Sequence, residues 1–269
     1  MAYWEMEQKG AVLVVSYNNP PMNYLVGAAF QEFQDELMPA CEDPSVRAIV
    51  LQGKPKGLFM THFSVEELLA MSEAGAMKGA DASIMTQGHQ RWGALEKLSK
   101  PVVAALTGSA MGGGYEQSLG CDIRIAERGD YRIGLPEANL GILPGGTGLT
   151  RLTRLLGASN AINIILRGLV FTPDEALRLG MVHEVVDDAR ARALEIAQSL
   201  ATKSPTAMAV IKKAIYEGAE SSFDEALLLE GQGFIDCMSS KEALAAMKEY
   251  VAIPFEQRQA WLDEKATTI

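Results

Sequence analysis

The sequence predicts an α/β protein in which a repeated strand-and-helix body gives way, near residue 200, to a helical tail. Two observations carry this. Short β-branched or apolar runs bounded by glycine alternate with segments of helical periodicity as far as Val186. Beyond Val186 only helical periodicity continues. The expected division is a body over residues 1–200 carrying any active site, and a C-terminal helical region over 201–269. A tail of this kind, rich in Ala, Leu and Met, is expected to mediate oligomerisation.

Val12 to Tyr17 reads as a strand, ended by Asn18-Asn19-Pro20-Pro21, which cannot continue a ladder. A helix follows over Val26 to Cys41, where Phe30, Phe33, Leu37 and Cys41 share one face before Asp43-Pro44 stops it. Ala48 to Leu51 and Pro101 to Leu106 are buried strands closed by Gly53 and Gly108. Between them, Ser64 and Glu67 have capping-box spacing, so a helix begins at Val65 with Phe63 just outside it. Ala74 to Ala82, rich in Ala and Gly and bracketed by Met71, Met77 and Met85, reads as an adaptable segment. Its methionines suit either ordinary packing or a pocket for a flexible chain. Gln90 to Leu98 returns to helical spacing.

Helices are expected over Thr150 to Leu156 and Ala158 to Leu166, and a capping box at Thr172-Pro173-Asp174-Glu175 starts a helix that Gly180 closes. Met181 to Val186 is the last strand. Ala189 to Thr202, Thr206 to Ala219 and Phe223 to Tyr250 complete the helical reading.

The composition is that of an ordinary globular protein, 48% hydrophobic and 22% charged. A net charge of −10 with no clustered basic face argues against a nucleic-acid partner. No apolar run reaches the ~18 residues of a membrane span, and the start MAYWEMEQKG lacks signal-peptide features, so no membrane partner and a cytoplasmic location are expected. Cys41, Cys121 and Cys237 lie far apart, and His62, His89 and His183 have no metal-like spacing, so neither disulfides nor a metal is expected.

The chemistry concentrates between Pro101 and Gly146. Gly112, Gly113 and Gly114 stand where a helix begins, so their amides can approach a ligand and stabilise a developing negative charge. The same glycines would also permit tight packing of helix on sheet. They match neither the dinucleotide fingerprint nor a phosphate loop. Glu116 and Glu137 each suit the first turn of a helix on dipole grounds. In apolar surroundings they could instead form an acid/base pair whose pKa values burial and repulsion push apart. Position alone leaves both readings open.

The runs Gly112-Gly113-Gly114-Tyr115-Glu116, Cys121-Asp122-Ile123-Arg124-Ile125-Ala126, Leu135-Pro136-Glu137 and Leu140-Gly141-Ile142-Leu143-Pro144-Gly145-Gly146 resemble the crotonase superfamily, also called enoyl-CoA hydratase/isomerase. Asn18 to Leu25 and Ala176 to Val186 extend the resemblance across most of the chain. It implies a spiral of ββα units with a helical C-terminal region, assembled as trimers or as hexamers that pair two trimers. The implied ligand is an acyl-CoA thioester, with coenzyme A entering as part of the substrate and no separate cofactor. The thioester carbonyl would be held by the backbone amides of Phe63 and Gly113. Glu116 would help activate water for attack at C3, and Glu137 would deliver a proton to C2. Met22, Tyr24, Thr61, His62 and Gly112 would surround the ligand.

Three departures from the family pattern stand out. Thr61-His62-Phe63-Ser64 replaces the common A-G-A-D turn, Thr147-Gly148-Leu149-Thr150-Arg151 replaces G-G-T-Q-R, and no Lys or Arg precedes Asn23. The last leaves Lys54 and Lys56 as the partners for CoA phosphates. Hydration of a 2-enoyl-CoA is the expected activity. Double-bond isomerisation, decarboxylation or thioester hydrolysis on the same fold, and a non-catalytic acyl-CoA-binding scaffold, are the alternatives.

Overall fold

A computed structural model of the chain describes residues 2–266. The outermost ends of the two expected regions, residue 1 and residues 267–269, lie outside the described residues. The strands are β1 (Trp4–Lys9), β2 (Val12–Tyr17), β3 (Ala48–Gly53), β4 (Gly57–Leu58), β5 (Val102–Leu106), β6 (Gly108–Met111), β7 (Ile123–Glu127), β8 (Ile133–Gly134), β9 (Val170–Phe171) and β10 (Glu184–Val186). They form a large sheet in the order β1-β2-β3-β5-β7-β10 and a small one in the order β4-β6-β8-β9. The large sheet is parallel except at β1, which pairs antiparallel with β2.

The repeat in the chain becomes visible here. β3 and β4, β5 and β6, β7 and β8 each place one strand in the large sheet and the next in the small one, followed by helix. This is the expected spiral of ββα units.

Both faces of the central strands β2, β3 and β5 are covered, which is why these strands read as largely apolar runs. Leu13, Val15, Ile49, Leu51, Ala104 and Leu106 point into the main core. The alternate residues, Val12, Val14, Ala48, Val50, Val103 and Ala105, pack under the helix Ala189–Ala201 through Ala193, Ile196 and Ala197.

Several elements depart from expectation. The Val26–Cys41 helix is three pieces, Gly27–Glu32, a π-helical stretch Phe33–Leu37, and Met38–Glu42. Ser64 does cap the helix Val65–Glu73 by accepting from the Glu67 amide. The reciprocal half of the box is absent, because the Glu67 carboxylate accepts from Gly27 N at 2.8 Å. That ties two helices together where a local box would have served one. Thr172 and Glu175 form the full box ahead of the helix Pro173–Arg178.

Strands β1, β6 and β7 go beyond what the pattern foretold. β1 is an edge strand with an exposed face, and β7 includes Arg124, a charge that hides a buried strand from any apolar count. Arg124 is accommodated by donating to the carbonyls of Met181 and Cys121, each at 3.0 Å. The expected strand from Met181 is confined to β10.

Among the described residues no strand follows β10, and the tail consists of helices. Its expected long helix over Phe223 to Tyr250 is two, Phe223–Met238 and Lys241–Ala252, because Ser240 leaves helical geometry and caps the second by accepting from Ala243 N. The helix Pro205–Gly218 is fastened to the body by Lys212, whose buried ammonium donates to Asp122 Oδ2 at 2.9 Å and to the carbonyls of Leu95 and Lys100.

Candidate active site

Strand β6 runs directly into the helix Gly113–Leu119 through Gly112. Gly112 has φ 49°, and a Cβ there would lie 2.9 Å from Glu137 Oε1, so a side chain would be strained by the backbone conformation and would push the Glu137 carboxyl aside. A Cβ on Gly114 would fall 1.7 Å from the carbonyl oxygen of Met60. The packing role and the ligand-facing role of these glycines therefore coexist, at different members of the triplet.

Gly113 is the ligand-facing member. A Cβ on it would sit 3.1 Å from Phe63 N and 3.0 Å from Phe63 Cβ, so the two backbones come together across some fifty residues of sequence. Phe63 is fixed by the parallel bridge to Leu25, in which Leu25 N donates to His62 O and Ser64 N to Leu25 O, each at 2.8 Å. That pairing turns the Phe63 amide away from Leu25. Among the described residues neither the Phe63 nor the Gly113 amide donates to a protein acceptor, and Gly113 opens its helix, where amides have no internal partner.

Glu116 follows one turn later and is 3% exposed. Its Oε1 accepts from Gly146 N at 2.8 Å and from Gly148 N at 2.7 Å. Burial pushes this carboxyl up to about 8, the nearby charge of Glu137 adds to the rise, and the two amides and Arg151 oppose it. Glu137 opens the 3-10 turn Glu137–Leu140, and burial raises it to about 7. Its Oε2 has no hydrogen-bond partner among the described residues. Both acids occupy first turns, and both are also buried beside one cavity.

That cavity, of about 590 Å³, brings together His62, Phe63, Gly112, Gly113, Glu116 and Glu137. Its remaining wall is largely hydrocarbon and thioether, including Met71, Met77, Met85, Met111 and Trp92. His62 stacks on Tyr24, with ring centroids 4.2 Å apart, and its Nδ1 is 2.7 Å from Phe63 O.

The other residues named from sequence stand behind or away from the cavity. Thr61 is buried and its hydroxyl donates to Met22 O at 2.5 Å, so it braces the turn that carries His62 and Phe63. Met22 is exposed, and Tyr24 reaches the cavity only through His62. Lys54 pairs with Glu5 at 2.7 Å on the surface, and Lys56 is exposed. None of these five lines the cavity.

Some contributors lay outside the sequence reading. Gly146 and Gly148 supply the amides that hold Glu116, and Trp92 lies against both Gly113 and Gly146. The glycines of the Gly145–Gly148 loop were the available signal. Nothing local marked Trp92, which arrives from a helix whose own periodicity explains it.

A family model described as enoyl-CoA hydratase/isomerase matches residues 7–263. The chain is 35% identical over 249 residues to a short-chain-enoyl-CoA hydratase of Clostridium acetobutylicum, covering 91% of this chain and 93% of that one. It is 31% identical over 259 residues to a crotonyl-CoA hydratase of Syntrophomonas wolfei, covering 95% of each. Among solved structures, an enoyl-CoA hydratase from Bacillus anthracis superposes with a TM-score of 0.83 at 30% identity, covering 92% of this chain and 96% of that one.

Proposed function

The chain belongs to the enoyl-CoA hydratase/isomerase family, and from that premise we propose that it adds water across the double bond of a 2-enoyl-CoA thioester. The observation that carries this reading is the pair of buried carboxyls with raised pKa values, facing one cavity beside two unengaged amides. The amides of Phe63 and Gly113 receive the thioester oxygen and stabilise the negative charge it gains. Glu116 takes a proton from water as its oxygen bonds to C3, the C2–C3 π electrons move toward the thioester, and Glu137 gives a proton to C2. One water is consumed, and the two carboxyls exchange roles to reset.

The partners of the two carboxyls set their roles apart. Burial raises both, but the amides of Gly146 and Gly148 on Glu116 Oε1 favour its ionised form, the one that takes a proton from water, whereas Glu137 Oε2 has no such donor among the described residues.

Lys54 and Lys56 hold the CoA phosphates, Lys54 exchanging Glu5 for the ligand, while His62 and the Thr61-braced turn shape the thioester end. No cofactor beyond the coenzyme A of the substrate is required, and the chain works in the cytoplasm. The helical region 201–269 assembles homotrimers or pairs of trimers, a role supported by exposed Phe223, Leu228, Phe234 and Phe255. A monomer by light scattering at every concentration would remove that assignment. The chemical assignment is tested by Glu116→Gln and Glu137→Gln, followed by loss of enoyl-thioester absorbance. Each should lower kcat by about 10²–10⁴, and a double variant hydrating at full rate would refute the mechanism.

A further inference from the structure

The cavity holds more space than the reacting atoms use, and its wall has little polarity to offer. Of its lining residues only His62, Glu116 and Glu137 carry ionisable side chains, and among the described residues no lysine or arginine faces it. An arm carrying amides or a second carboxylate would leave buried polar groups without partners. A hydrocarbon tail would not.

Volume sets the scale. The thioester and the reacting carbons take part of the 590 Å³, and at roughly 30 Å³ for each methylene-sized group the remainder holds several more carbons. A four-carbon acyl group, with a single carbon beyond C3, would leave most of that apolar space unfilled.

The wall is also built to conform to a flexible guest. Met77 and Met85 belong to the segment between the helices Val65–Glu73 and Thr86–Trp92. Its hydrogen bonds are local, for example Ala76 N to Met71 O, Lys78 N to Gly75 O and Ile84 N to Asp81 O. Gly75 and Gly79, both at positive φ, have open space where a side chain would stand. Unbranched thioether side chains on such a segment adapt to a chain's contour better than branched ones on a rigid strand.

We propose that this chamber selects an unbranched medium-chain 2-enoyl thioester, with an acyl group of about eight to twelve carbons, over the crotonyl ester. The inference rests on the hydratase reading of the same site and adds the substrate class. Each methylene that moves from water into the chamber raises affinity for substrate and transition state, up to roughly fourfold when fully buried. Because the wall adapts, the preference is a broad maximum with a decline once the tail outgrows the space.

The test is a panel of crotonyl-, hexenoyl-, octenoyl-, decenoyl-, dodecenoyl- and hexadecenoyl-CoA, read as kcat/KM. Values should climb at least about tenfold from crotonyl to decenoyl and fall at hexadecenoyl. A profile that is flat or highest at crotonyl overturns the proposal. Met85→Trp, which fills part of the chamber, should cut the decenoyl-to-crotonyl ratio at least about fivefold, and an unchanged ratio also overturns it. Calorimetric binding of saturated decanoyl- and butyryl-CoA separates the two levels of inference. Absence of turnover on every ester refutes the hydratase reading alone, whereas equal binding of the two saturated esters refutes the medium-chain chamber.

Discussion

Glu137 Oε1 lies 2.9 Å from where a Cβ on Gly112 would stand, closer than the two atoms could sit without a shift. The acid of one ββα unit is thus seated against the backbone of the preceding unit, and the glycine is what lets it in.

Gly112→Ala should therefore act on the chemistry more than on the fold. The new methyl group displaces the Glu137 carboxyl, and alanine at φ 49° adds strain of about 1–3 kcal/mol. We expect kcat to fall by at least about 10²-fold, since small misplacements of a reacting group cost that much, while thermal unfolding shows a folded protein with a lowered Tm. Unchanged kcat would mean that Glu137 does not act from this position.

The raised carboxyls also predict how stability depends on pH. Both Glu116, at about 8, and Glu137, at about 7, hold protons more tightly in the folded chain than in the unfolded one, where a glutamate titrates near 4.5. Their contribution is complete below the unfolded value and is lost as pH rises through the folded values, because over that range the native state binds more protons. Unliganded protein should lose stability between about pH 4.5 and 8, and Glu116→Gln should flatten that slope in denaturant titrations at several pH values. Activity should follow a bell in kcat/KM with limbs belonging to the coupled pair, one proton being needed and one having to leave.

Lys212→Met tests how the tail is held. It removes the cation from a pair with Asp122 in which Lys212 is 8% exposed, and leaves a carboxylate whose remaining partners are Val102 N and Tyr216 Oη. A loss of about 3–5 kcal/mol is expected from breaking one side of a buried pair. Adding Asp122→Asn should restore a measurable part of it. If the single variant unfolds at the wild-type denaturant midpoint, the pair does not fasten the helix Pro205–Gly218.

The amino-acid sequence by itself determined the architecture, through apolar strands buried on both faces and helices opened by Ser64 and Thr172. It also singled out Glu116, which follows the glycine triplet, and Glu137, which follows Pro136, as the acids to examine. It did not determine that β7 is a strand, because the Arg124 within it is buried only by donating to the carbonyl of Met181, which the segment leading into β10 brings alongside, and to that of nearby Cys121. Nor did it choose between helix-start acids and a reacting pair. That choice depends on burial and on amides from Gly146 and Gly148, thirty or more residues away in the chain. The apposition of Phe63 with Gly113, the methionine-lined chamber and the surface pairing of Lys54 with Glu5 were likewise decided only in three dimensions. Periodicity records which face of an element is buried, whereas a site is made of distances between elements, and those exist only once the units have wound onto one another.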